Sequence, residues 1–239
     1  MAKLPEGSTQ SGKKTRKPAA KKVRLLTADQ IHTVFSRLRA IEPEPKGELE
    51  HVNPYTLLVA VVLSAQATDA GVNKATRPLF KKVKTAKAML ALGEDALREA
   101  IKTIGLYRTK AKNVIALSEI LLRDYGGDVP ADRDLLQALP GVGRKTANVV
   151  MNMAFGQPTM AVDTHVFRVS NRLMLAPGKT VLEVETGLEQ RIPAEFALHA
   201  HHWLILHGRY LCKARLPECW RCPLTDLCPF EPKSVARGG

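Results

Sequence analysis

Four cysteines, the only ones in the chain, lie within its last 28 residues, at Cys212, Cys219, Cys222 and Cys228. The C-x6-C-x2-C-x5-C spacing gathers four thiols into 17 residues, which predicts a compact loop wrapped around something at this end of the chain. Structural disulfides do not suit a long chain without a secretory signal. A metal centre does. Zinc usually takes two C-x2-C pairs separated by a longer stretch, and only one such pair is present here. A [4Fe–4S] cluster accepts four cysteines from one compact loop. The spacing favours iron–sulfur and leaves zinc open.

Most of the remaining chain carries helical periodicity. Thr27-Ala28-Asp29-Gln30 resembles a capping box, and Ile31, Val34, Phe35 and Leu38 follow at helical spacing. Asn53-Pro54 opens a second helix with proline at its first position. The run Leu57–Leu63 is apolar all round and could form a buried strand. A buried central helix is the better reading, since the run continues through Ser64-Ala65-Gln66-Ala67 without a turn signal. Helical patterns recur near 70–82, 86–92, 94–103, 107–125, 132–138, 144–155, 164–174, 180–190 and 195–211, and Gly126-Gly127 ends the longest of them. Period-two alternation is scarce, so the expected class is all-α.

Length and charge narrow the function. A chain of 239 residues can bury a real core as one large domain or two small ones. The formal charge is +13, of which residues 1–24 hold +7. That segment has almost no large apolar residue and reads as a disordered basic tail. The body is still basic, which favours nucleic acid over acidic small molecules as partner. Neither a membrane-spanning stretch nor the apolar core of a secretory signal is evident, so the expected location is cytoplasmic, with chromosomal DNA.

The stretch LPGVGRKTANVV (139–150) carries the chemistry. Helix, Leu-Pro-Gly-Val-Gly and helix form a hairpin whose glycines, Gly141 and Gly143, allow a tight turn or a close approach to a ligand. Its amides and the following helix N-terminus suit an anion such as a DNA phosphate, with Arg144 as counter-charge. Lys145 is awkward there, because a helix N-terminus and Arg144 both disfavour a protonated amine. A lysine that attacks carbon needs a share of neutral amine, so the placement suits a nucleophile. A phosphate contact is the plainer alternative. Asp163-Thr164-His165 opens a later helix, where Asp is a preferred N-cap.

LPGVGRKTANVVMNMAFGQPTMAVDTHVFRVSNRL (139–173), LSAQATDAGVNKAT (63–76), IKTIGLYRTKAKNVI (101–115) and HHWLILHGRYLCKARLPECWRCPLTDLC (201–228) resemble, in order, the motifs of the endonuclease III family. The likeness spans roughly residues 28–230. It implies a DNA glycosylase with an associated AP lyase step, acting on duplex DNA that holds oxidised pyrimidines or abasic sites, and working as a monomer. It implies Lys145 as nucleophile, Asp163 as catalytic carboxylate, and a [4Fe–4S] cluster on Cys212, Cys219, Cys222 and Cys228. Gln66, Ile104 and Leu106 match positions that enter the duplex. Without the resemblance, core packing would be preferred for Ile104 and Leu106. Lys213, Arg215 and Arg221 are candidate phosphate contacts in the cluster loop. Arg108, Lys110 and Lys112 could serve likewise or form a solvated face. His199, His201, His202 and His207 are expected to pack rather than bind metal.

The expected architecture is two helical lobes around a cleft. One is a six-helix lobe over 47–157 with the helix-hairpin-helix, and the other combines 25–46 with 158–239 and the cluster loop. Lys145 and Asp163 would then approach from opposite sides. Two rival readings are an adenine-removing glycosylase without lyase activity, which lacks a lysine at this place, and a DNA-binding protein that has lost catalysis. Retention of both Lys145 and Asp163 speaks against the second.

Overall fold

Thr27 opens the first helix through the reciprocal bonds its spacing predicts: its hydroxyl accepts from the Gln30 amide, and the Gln30 side chain accepts from the Thr27 amide. A computed structural model describes residues 24–236, so the basic tail expected over 1–24 lies, but for Arg24, outside the described residues. Among them are eleven helices and no strand: α1 (Ala28–Ile41), α2 (Pro54–Ser64), α3 (Asp69–Lys82), α4 (Ala86–Leu92), α5 (Glu94–Ala100), α6 (Tyr107–Tyr125), α7 (Arg133–Gln137), α8 (Arg144–Phe155), α9 (Thr164–Leu173), α10 (Val181–Arg191) and α11 (Ala194–Tyr210). The class is all-α.

The ambiguous run 57–63 is helical. Asn53 caps α2 and Pro54 occupies its first position, and every residue from Tyr55 to Leu63 is buried. Such a helix must be surrounded, and α2 packs against α3, α6 and α8. It stops earlier than its sequence predicts. The helix ends at Ser64 and Gln66 turns back with φ 56, a left-handed conformation that the sequence does not announce. The pattern expected over 94–103 also ends early, at Ala100. The chain then turns, Ile104 donating to the Ile101 carbonyl at 2.9 Å, and both isoleucines are buried.

Apolar side chains gather into two main clusters. The first is built by α2 to α8, from Tyr55 to Met151. The second joins α1 to the C-terminal helices: Phe35 stacks on Phe196 at 5.7 Å between ring centroids, and the Trp203 indole donates to the Glu42 carbonyl at 2.7 Å. Burying Ile31, Val34, Phe35 and Leu38 of α1 contributes roughly 1.5–3 kcal/mol each. A small third cluster, Leu57, Val61, Val149 and Ala161, lies where α2 and α8 meet the segment entering α9. That junction positions the site.

Candidate active site

The hairpin before α8 needs one glycine for its shape. Gly141 has φ 78, and a Cβ there would stand 2.9 Å from the Asn113 amide nitrogen, so a side chain would be both strained and crowded. Gly143 is different. Its backbone is extended and a Cβ would meet nothing within 4 Å, so the fold does not demand glycine there. Gly143 caps α8 without a side-chain bond, which leaves the first amides of the helix free in front of an open space. Lys145 is the second residue of α8 and is exposed.

Asp163 is the N-cap of α9. Its Oδ1 accepts from the His165 and Val166 amides, both at 2.8 Å, and Oδ2 takes no part in the cap. Lys145 and Asp163 line one cavity of about 220 Å³ together with Gln66, Asp69, His201 and Arg209. A wider cleft of about 870 Å³ opens beside it, again lined by Lys145, Asp163 and Gln66. The nucleophile and carboxylate expected from the sequence therefore share a cavity, although 17 residues intervene between them. At its rim Arg209 bonds Asp69 at 2.9 Å and also Glu48, tying α11 to α3 and to the loop before α2.

The two loops with candidate wedge residues face each other. A Cβ on Gly105 would lie 3.8 Å from the Gln66 carbonyl. Gln66 and Leu106 are two of the three non-glycine residues with positive φ among the described residues, at 56° and 59°. Such a conformation costs roughly 1–2 kcal/mol per residue and tends to persist at functional sites. Leu106 is 60 % exposed, but Ile104 is 3 % exposed and packs into the first core. The resemblance matches Ile104 to a position that enters the duplex, but the turn after α5 points it into the core.

Several basic residues are engaged elsewhere. Arg144 pairs with the buried Glu185 of α10 at 2.8 Å and does not line the cleft. Lys110 forms neither a solvated face nor an exposed phosphate contact. It is buried, its amine lacks a partner, and burial pushes its pKa down. Lys213 and Arg221 both bond Glu218, while Arg215 is exposed. Two features of the site escaped the sequence reading. Lys179 and Thr180, before α10, line the wide cleft, and nothing local to them signals this. His201 and His202 line the cavity holding Lys145 and are pushed down by burial to about 3 and about 4, so both are neutral at ordinary pH.

The four cysteines line a second cavity with His207 and Arg172. None is in a disulfide and all are half-buried. Burial pushes the Cys222 thiol up to about 11 and raises Cys228 as well. Arg172 aims Nη1 at Cys212 Sγ from 3.3 Å and holds the Lys213 and Ala214 carbonyls at 2.8 Å each. Four cysteine sulfurs lining one cavity are a donor set that a [4Fe–4S] cluster or a zinc ion could take.

Comparison with known proteins follows the same lines. Residues 59–194 match the family described as HhH-GPD superfamily base excision DNA repair protein. The chain is 56% identical over 200 residues to endonuclease III of Escherichia coli (strain K12), covering 84% of this chain and 95% of that one. It is 52% identical to endonuclease III of Bacillus subtilis (strain 168), covering 90% and 98%. A solved trapped endonuclease III–DNA covalent intermediate superposes with TM-score 0.80 at 50% identity, covering 86% of this chain and 97% of that one.

Proposed function

The chain belongs to the endonuclease III family of HhH-GPD base excision repair proteins, and from that premise we propose which of its residues carry out the reaction. It is a bifunctional DNA glycosylase and AP lyase, which removes oxidised pyrimidines from double-stranded DNA through a lysine Schiff base and cuts the strand 3′ to the lesion. Among the described residues no helix is long and apolar enough to cross a membrane, and we place the protein in the cytoplasm with the chromosomal DNA.

The observation that carries the residue assignment is that Lys145 and Asp163, from different helices, line one cavity. The sugar C1′ is shielded in a duplex, so the nucleotide must first be extruded, at a cost of a few kcal/mol that base damage reduces. Leu106, as apolar wedges do elsewhere, and the polar Gln66, from the facing loop, fill the stack behind it. The hairpin amides at Gly141 and Gly143 hold the phosphate backbone. The neutral Lys145 amine then attacks C1′. A nitrogen–carbon bond forms as the bond to the base breaks, and the base departs with the electron pair and takes up a proton. Loss of a proton from the attached nitrogen and opening of the sugar ring give the Schiff base. Its cationic nitrogen acidifies C2′, and removal of a C2′ proton expels the 3′ phosphate. Asp163 stabilises positive charge on the sugar through Oδ2, since Oδ1 is held by the cap.

We assign the two main hydrophobic clusters to two lobes, 47–157 and 25–46 with 158–239, meeting at this cleft. Cys212, Cys219, Cys222 and Cys228 would hold a [4Fe–4S] cluster, which when bound fixes the shape of the C-terminal loop. Borohydride reduction on duplex DNA with an oxidised pyrimidine tests the nucleophile: wild-type protein becomes covalently attached. Lys145→Gln binds the lesion but is not trapped, and undiminished trapping in that variant rejects the assignment.

A further inference from the structure

Glu185 is a carboxylate in the middle of α10, and it is 2 % exposed. Its neighbours Val184 and Leu188 belong to the second hydrophobic cluster, but its polar partners lie on α8, which packs into the first. Arg144 places Nε and Nη2 each 2.8 Å from Glu185 Oε1. Asn148, one turn further along α8 and fully buried, donates to the same oxygen at 3.1 Å. The Asn148 amide nitrogen also donates to the Met160 carbonyl at 3.0 Å, and the Thr159 hydroxyl donates to the Asn148 carbonyl at 2.6 Å.

We propose that Glu185 is a positioning residue for the lyase reaction: it latches the Arg144–Asn148 face of α8 and withholds Arg144 from DNA, so that Lys145 and Asp163 are held in register. Residues four apart share a helix face, so gripping Arg144 and Asn148 together fixes the rotation of α8 about its axis. Lys145 follows Arg144 directly and leaves the helix in a direction set by that rotation. Met160, held through Asn148, lies three residues before Asp163. One carboxylate thereby connects the helix bearing the nucleophile with the segment leading to the catalytic carboxylate.

The second half of the latch concerns charge. The Arg144 side chain is 40 % exposed and sits beside the hairpin, close to where phosphate is expected. The bond to Glu185 turns that guanidinium away from the backbone. The inference rests on the assignment of Lys145 and the hairpin above, and it reverses the sequence expectation for Arg144.

The test uses full-length protein with Glu185→Ala, Glu185→Gln and Arg144→Ala, read by the rate of borohydride trapping on abasic duplex DNA and by the salt dependence of binding to undamaged duplex. Glu185→Ala slows trapping at least about tenfold, since a misplacement of about 1 Å can cost on the order of a hundredfold. The same variant steepens the salt slope by about one, the value for one added phosphate contact. Arg144→Ala slows trapping as well but leaves the salt slope at the wild-type value, and the double variant is no slower than Arg144→Ala alone. If Glu185→Ala does not fold, the isosteric Glu185→Gln carries the same two readings. Wild-type trapping and salt slope in the Glu185 variants, with a slope reduced by about one in Arg144→Ala, overturn the proposal and make Arg144 a phosphate contact. Failure of wild-type protein to be trapped removes the Lys145 assignment instead, and the salt slopes still decide whether Arg144 is withheld.

Discussion

Asp163 uses one oxygen as a cap and leaves the other outside it, and substitutions can separate the cap from the proposed catalytic role. Oδ1 accepts both amides at the start of α9, whereas Oδ2 is free of the cap. Asparagine is as good an N-cap as aspartate, and alanine is poor, typically costing about 1 kcal/mol. Asp163→Asn is therefore expected to melt near wild type and Asp163→Ala to lose about 1 kcal/mol, while both trap DNA slowly. Thermal melts with single-turnover trapping check this. A variant in which asparagine restores the full rate would make Asp163 only a cap. The sequence identified Lys145 and Asp163 as residues, and it flagged the cap, because N-cap preference is local. It did not show that Arg144 answers to Glu185, because the two stand 41 positions apart with a helix intervening.

Elements end where tertiary contacts require, and the wedge loops depend on those endings. The stop of α2 at Ser64 and the left-handed turn at Gln66 have no glycine to announce them, in contrast to Gly126, which ends α6 with φ 64 as its sequence predicts. The loop between α5 and α6 sends Ile101 and Ile104 into the core and leaves Leu106 to solvent. Ile104→Ala is expected to cost about 2–5 kcal/mol, like other large core truncations, whereas Leu106→Ala stays within about 0.5 kcal/mol. Excision should respond in the opposite sense: Leu106→Ala slows removal of a paired lesion far more than strand cleavage at an abasic site in single-stranded DNA. Urea titrations and the two cleavage assays test the pair. Equal destabilisation by both would show that Leu106 is also a core residue.

Across the whole molecule, buried imidazoles couple stability to pH. His201 and His202 are pushed by burial from 6.5 to about 3 and about 4. Unfolded, both take up protons as pH falls below about 6.5, and folded they do not, so the unfolded state binds more protons in that interval. Their contribution is complete above pH 6.5 and is lost as pH falls toward 4, by about 1.4 kcal/mol per pH unit for each histidine. Urea midpoints between pH 4 and 7 should trace that acid limb, and His202→Gln should flatten it by about one proton. An unchanged slope in the variant would mean that His202 is not buried as described.

The sequence by itself determined the all-helical class, most helix starts, the central helix α2 and the cysteine loop. Each is written in short-range signals: capping residues, hydrophobic spacing, or thiols close along the chain. Tertiary structure alone decided which of two neighbouring apolar residues became the exposed tip. It also decided that Gly141 needs its glycine while Gly143 does not, and that Lys110 is buried without a partner. The partner of Arg144 and the histidines behind Lys145 belong with these. Such outcomes depend on what stands opposite a side chain after folding, and the residues opposite come from elements remote in the chain, where local propensity carries no information.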